Sequence, residues 1–359
     1  MPEFPASLFA WPALMAASVG EAFAASLAGH NVVAEEGEER EALWTTPHRI
    51  RLELGTMALR DFSRDERGVA ALICAPYALH GATIADFAPG HSVIEALQGG
   101  GVGPIHVTDW RSAGPDMRFL SIDNYLADLN VVVDELGAPV DLIGLCQGGW
   151  MALTYAARFP DKVRRLVIAG APVDIAAAPS HLSQMTAKLP LAAFEEFVAS
   201  QGGRVLGRRV LQIWGTALIA QDTKRVLQLP ALDHAAPKQD IERRFEDWYN
   251  LTVDLPGTYY LQVVSWLYQQ NRLATGKLVA LGRPIDLSRL RHPIFLLGAS
   301  EDEIVAPAQL FATADRVGTP KARIVTACEP GGHLSLFLGA EMIKTAWPRI
   351  AHWLHQEQT

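Results

Sequence analysis

The 359-residue chain has few cysteines: Cys74, Cys146 and Cys328, with no C-x-x-C pair among them. Three scattered thiols cannot build a disulfide framework, and no H-E-x-x-H spacing points to zinc. Positive charge is missing from the start of the chain. No Lys or Arg precedes Arg40, although Phe4 to Leu27 is apolar and Ala22-Phe23-Ala24 imitates a signal-peptidase site. With Glu3 and Glu21 also acidic, both the basic flank of a secretory leader and a clean transmembrane span are lacking. There is no basic stripe and no long acidic block. The formal net charge of -8 therefore speaks for solubility and against nucleic acid as the main partner. Internal repeats and low-complexity linkers are absent, and a reducing cytoplasm is the expected compartment.

What the chain does have is a 49% hydrophobic content over a length sufficient for a large core. Leu8, Trp11, Met15, Val19, Phe23 and Leu27 recur at three- and four-residue steps, which predicts one apolar helix face. Packing on the main domain is the expected use of that face, and a hydrophobic particle or a second subunit is the alternative.

Beyond the acidic segment Glu35 to Glu41, strand-like and helix-like stretches alternate. Val69 to Cys74, Ile105 to Thr108, Val140 to Ile143 and Val163 to Ala169 are apolar runs, and Ile122 to Leu136 has helical spacing before Pro139. The alternation resumes with Pro293 to Gly298, Ala322 to Thr326 and a final helix from about Met342 to His355. This order predicts an α/β fold, a mostly parallel sheet with helices on both faces, whose strand ends line one functional edge. The intervening stretch is rich in aromatics and poor in β-branched runs. It reads as a helical cap over residues 174–281, with the core at 46–173 and 282–359 and an N-terminal helical segment at 1–45.

Gly144-Leu145-Cys146-Gln147-Gly148-Gly149 follows an apolar strand and precedes the helix-like stretch Trp150 to Phe159. That is a nucleophile elbow with cysteine in place of serine. The glycines allow close backbone approach, and a helix N-terminus favours the attacking thiolate. Such a thiolate needs a base and a carboxylate to orient it. The strand Ile294 to Leu297 runs into Gly298-Ala299-Ser300-Glu301-Asp302, and Asp302 is the candidate acid after it, with Glu301 and Glu303 as rivals. His333 lies in the glycine loop Pro330-Gly331-Gly332, with His80, His106, His234 and His292 as rivals. The order nucleophile, Asp, His is that of α/β hydrolases. Cys74 and Cys328 lack a glycine elbow and read as buried thiols.

The oxyanion needs two amide donors. The N–H of Gln147 is one candidate, and Leu79, then Ala78, in the loop Pro76 to Gly81 are candidates for the other. His80, Trp150, Trp248 and Trp266 are candidates for lining the acyl site. No cofactor or metal is expected.

These residues resemble the polyhydroxyalkanoate synthases and the related cysteine-nucleophile intracellular polyhydroxyalkanoate depolymerases. The likeness runs from about Leu72 to the C-terminus. The stretch Gly144 to Gly149 is similar to the synthase lipase-like box. Asp109-Trp110, Ile122 to Tyr125, Phe159 to Arg164, Ala171 to Asp174, Trp266 to Asn271, Ile285 to Leu287 and Pro330 to His333 continue it in order. The resemblance implies Cys146 as acyl carrier, His333 as base and Asp302 as its partner, with a polyester or a hydroxyacyl ester or thioester as substrate. Two departures stand out: synthases usually carry Asp-His where this chain has Asp302-Glu303, and Asn-Arg or Asn-Lys where it has Leu79-His80. The latter loop looks more like the depolymerase pattern, whereas Gly148-Gly149 does not. Hydrolysis of hydroxyalkanoate esters is the expectation, with polymerisation of hydroxyacyl-coenzyme A the alternative and a noncatalytic granule protein the third. A homodimer and a granule-surface location are compatible with either enzyme.

Overall fold

The computed structural model describes residues 44–214, 223, 225–228 and 237–356. The apolar helix expected over Leu8 to Leu27, nearly all of the segment 1–45, and His234 lie outside the described residues.

Eight strands form one sheet: β1 (Arg49–Glu53), β2 (Met57–Asp61), β3 (Ala71–Cys74), β4 (Ile105–Trp110), β5 (Val140–Leu145), β6 (Val163–Ala169), β7 (Ile294–Ala299) and β8 (Ile324–Glu329). Their spatial order is β1-β2-β4-β3-β5-β6-β7-β8. β2 runs antiparallel to both of its neighbours and all later pairings are parallel. The strand pair β1 and β2 was not foreseen. β1 is an edge strand, RIRLE, with four exposed residues, so it carries no apolar run.

The central strands read as unbroken apolar runs because both faces are covered. Alternate residues feed two cores: Leu72, Leu142, Leu166 and Leu296 on one face, and Ile73, Ile143, Val167, Phe295 and Leu297 on the other. Helices α1 (Val93–Gly99), α2 (Ile122–Leu136), α3 (Gln147–Arg158) and α4 (Ala340–His355) cover them. The start of α2 is fixed by a capping box in which the Ser121 N–H donates to Asn124 Oδ1 at 2.9 Å, and left-handed Gly137 ends it. Helix α3 begins at Gln147, three residues before the expected Trp150, because the elbow turns straight into it. β8 lies about two residues later than the expected run, since Lys321–Arg323 forms a 3₁₀ turn.

Between β6 and β7 the described chain is mostly helical: His181–Lys188, Leu191–Ala199, Gly207–Trp214, Pro237–Asn250, Gly257–Gln262, and a π-helical turn at Val263–Gln269. Two short strands, Arg204–Val205 and Leu255–Pro256, pair within it. Buried Asp174, where this stretch begins, ties its two ends together. It accepts from Asn271 Nδ2 at 2.7 Å and from Arg316 Nη2 at 2.6 Å. Burial alone would raise the Asp174 pKa, but these donors hold it below the usual carboxylate range.

Candidate active site

The parallel strands end together, and backbone hydrogen bonds carry the alignment past each end. The Cys146 N–H donates to Ala169 O at 2.8 Å, Gly170 N–H to Leu297 O at 2.9 Å, and Ser300 N–H to Glu329 O at 2.8 Å. One step further, Glu301 N–H donates to Gly331 O at 2.9 Å, joining the acid loop to the histidine loop.

Cys146 stands at the head of α3 with φ +49° and ψ −121°. A left-handed non-glycine residue costs on the order of 1–3 kcal/mol and persists only where its surroundings enforce it. Here the surroundings are tight. A Cβ on Gly144 would lie 2.7 Å from the Gly148 carbonyl oxygen, and one on Gly148 would lie 2.8 Å from Ala75 O and still closer to Cys74 O. The elbow glycines are therefore needed for packing of α3 against the ends of β3 and β5.

Three of the side chains singled out in the sequence converge. His333 Nδ1 lies 2.7 Å from Asp302 Oδ2, and His333 Nε2 lies 3.1 Å from Cys146 Sγ. Asp302 is buried and its other oxygen accepts from the Ile304 and Val305 N–H groups at 3.0 and 2.8 Å. With one oxygen anchored to backbone, the carboxylate is aimed at the imidazole. Burial on its own would lower the His333 pKa. The Asp302 carboxylate and the neighbouring Cys146 outweigh that and raise it well above the ordinary histidine value.

The rivals fall elsewhere. Glu301 pairs with Arg225, and a Cβ on Gly332 would come 3.1 Å from Glu303 Oε2, which places that carboxylate beside the histidine loop. His106 is buried beside Asp61, 3.4 Å away, and burial pushes its pKa down to about 4. His292 bonds to Pro160 O at 2.8 Å. Cys74 is buried, which pushes its pKa up to about 12. Cys328 is exposed among the described residues, correcting the expectation of a buried thiol: it lies on edge strand β8, whose residues are mostly half-buried or exposed.

The loop after β3 is held by several bonds. Ala75 N–H donates to Thr108 Oγ1 at 3.0 Å, Trp110 Nε1 donates to Ala75 O at 2.9 Å, and Tyr77 OH donates to Arg111 O at 3.0 Å. Ala78 and Leu79 are half-buried, and the Leu79 carbonyl accepts from Val253 N–H at 3.0 Å. His80 stacks on Trp248 at 4.4 Å between ring centroids and bridges to Thr252. Burial lowers the His80 pKa to about 4, so this ring is neutral. Trp266 is half-buried beneath the Arg272 guanidinium, 5.0 Å from its ring centroid. Trp150 sits in the core, where its indole N–H donates to Gln147 Oε1 at 2.5 Å.

Sequence reasoning missed Tyr268. Its buried hydroxyl accepts from Gln147 Nε2 at 3.1 Å. The available signal was its place within Trp266 to Asn271, already noted for its likeness to the synthases. Among the described residues, no cluster of three or more His, Cys, Asp or Glu side chains is arranged to hold a metal ion, and no helix is long and apolar enough to cross a membrane.

Sheet order, elbow and converging side chains define the class: the chain belongs to the alpha/beta hydrolase fold family, whose model matches residues 91–340. A monoacylglycerol lipase from Paleococcus ferrophilus superposes with a TM-score of 0.55 at 17% identity, covering 83% of this chain and 98% of its own, which shows the fold alone. The nearer kinship is in sequence. The poly(3-hydroxyalkanoate) polymerase subunit PhaC of Synechocystis sp. is 30% identical over 81% of this chain and 77% of its own. The protein of that name from Allochromatium vinosum is 27% identical over 80% and 79%. Within the hydrolase fold, the chain is a member of the polyhydroxyalkanoate synthase family.

Proposed function

We propose that this protein is an acyltransferase that polymerises hydroxyacyl thioesters through a Cys146 acyl-enzyme. The observation that carries the choice of polymerisation over hydrolysis is the 30% identity to a polymerase subunit across four-fifths of the chain. It outweighs the two loop departures that favoured hydrolysis, because these lie beside an otherwise matching framework. His333 accepts the Cys146 proton through Nε2 while Asp302 holds the ring by Nδ1, and the thiolate attacks the acyl carbonyl. The tetrahedral oxyanion is taken up by the Gln147 N–H and an N–H of Ala78 or Leu79. Collapse expels coenzyme A thiolate, which takes the proton from His333. In the second half-reaction neutral His333 deprotonates the hydroxyl of an acceptor chain, whose oxygen attacks the acyl-cysteine and regenerates the thiol.

The described, mostly helical part of 174–281 serves as a cap that keeps water from the acyl-enzyme, so that a hydroxyl outcompetes it. His80, Trp248 and Trp266 belong to the acyl-binding surroundings, and Trp150 acts from the core by holding Gln147. The hydrolytic reading rests on two loop departures alone, Leu79-His80 and Asp302-Glu303. The noncatalytic reading has little support beside a His333–Cys146 separation of 3.1 Å. The deciding experiment supplies 3-hydroxybutyryl-coenzyme A and, separately, hydroxybutyrate oligomers. Coenzyme A release with polymer growth supports the proposal, and free acid released from oligomers without polymer growth overturns it.

A further inference from the structure

Gln147 follows the nucleophile, and its backbone N–H is the donor assigned to the oxyanion. Its side chain is clamped at both ends: the carboxamide oxygen accepts from Trp150 Nε1 at 2.5 Å and the carboxamide nitrogen donates to Tyr268 OH at 3.1 Å. Trp150 belongs to α3, one turn along from Gln147. Tyr268 lies far along the chain, in the π-helical turn Val263–Gln269. A π-turn widens a helix by one residue and is retained mostly where it serves a site. Gln147, Trp150 and Tyr268 are all buried, so water does not compete for these bonds. Among the described residues Tyr268 OH has no acceptor for its own proton, so its one bond is spent on Gln147.

We propose that Tyr268 is a positioning residue for acyl transfer: by holding the Gln147 carboxamide from across the site, it fixes the first peptide of α3 and makes oxyanion stabilisation conditional on the π-turn being seated. A rotated carboxamide would lose both partners in a dry environment and carry its peptide plane with it. Misplacing a preorganised oxyanion donor slows the chemical step while leaving substrate affinity alone. Burial, with the adjacent Cys146 second, drives the Tyr268 pKa far above the phenol range, so the phenol stays neutral and able to accept across working pH. The inference rests on the Cys146 acyl-enzyme chemistry and is independent of which acceptor resolves it.

The experiment compares Tyr268→Phe, Trp150→Phe and the double variant in the full chain. Acylation is followed with both an activated short-chain ester and 3-hydroxybutyryl-coenzyme A. The expected result is a roughly tenfold fall in kcat for each single variant with KM within about twofold, and a double variant no worse than either single. Iodoacetamide labelling of Cys146 should stay at the wild-type rate, because His333 and Asp302 are untouched. Unchanged kcat in Tyr268→Phe, losses that multiply in the double variant, or a parallel fall in labelling would overturn the role. A wild type that turns over the ester but not the thioester would instead count against the polymerase reading, with the Tyr268 comparison still read on the ester.

Discussion

His333 Nε2 and Cys146 Sγ lie 3.1 Å apart although 187 positions separate them in the chain. The sheet closes that distance. β5, β6, β7 and β8 are neighbours, and backbone bonds from Cys146, Gly170, Ser300 and Glu301 keep their C-terminal ends level. The Cys146 thiol is thus placed by one strand and the His333 imidazole by the loop leaving another.

Replacing Cys146 by Ala should abolish coenzyme A release, by at least about a thousandfold, since no other thiol lies at the elbow. Thermal unfolding should stay within a few degrees of wild type or rise, because alanine still carries the positive φ but loses no packed methylene. Residual turnover near wild type would remove the covalent step.

His333→Gln and Asp302→Asn should each slow iodoacetamide labelling of Cys146 near neutral pH, His333→Gln by on the order of 100-fold. The His333 pKa is raised in the fold, so its pairing stabilises fully below the unfolded value near 6.5 and is lost as pH rises through the higher folded value. The stability gap between wild type and Asp302→Asn, read from urea midpoints, should therefore narrow as the medium is made alkaline. A gap that widens with rising pH would contradict the assignment.

Gly148→Ala should be among the most damaging single-methyl additions in the chain. The added carbon meets backbone oxygens of Cys74 and Ala75, which cannot swing aside as a side chain would. A loss of roughly 3 kcal/mol or more is expected, at the upper end of overpacking costs. Gly276→Ala is a control for crowding, with no atom within 4 Å of its added carbon, though its φ of +67° adds backbone strain. Equal urea midpoints for Gly148→Ala and wild type would show that the elbow is looser than described.

Acid should destabilise the protein through His80 and His106. Both are buried, and burial depresses each pKa to about 4. A depressed histidine contributes stability that is full above the unfolded value near 6.5 and is lost as pH falls toward 4, because the unfolded chain takes up the proton first. Each site is worth on the order of 3 kcal/mol across that window. His106→Gln should flatten the fall in urea midpoint over this range, and an unchanged slope would show that the ring is already solvated.

The reach of the sequence followed the physics of burial. β6 was legible to the residue because Leu166 to Ala169 is apolar and buried on both faces, and glycine and proline follow it. The elbow, Asp302 and His333 were legible because turn residues bracket chemistry-bearing side chains at strand ends. β1 was not, since an exposed edge strand needs no apolar pattern. Tyr268 was not, because its role depends on a π-turn that brings it to Gln147, a contact no local spacing encodes. The preference for hydrolysis over polymerisation came from Leu79-His80 and Glu303, residues that decorate the site without changing its framework.

The central claim is a thioester-fed acyl-cysteine at position 146 resolved by a hydroxyl. Mass spectrometry of the intact protein mixed with 3-hydroxybutyryl-coenzyme A tests it most directly. The account predicts hydroxybutyryl units accumulating on Cys146 as a ladder of growing adducts, lost in Cys146→Ala. An unmodified protein with coenzyme A left intact, or monomeric acid released with no ladder, would contradict it.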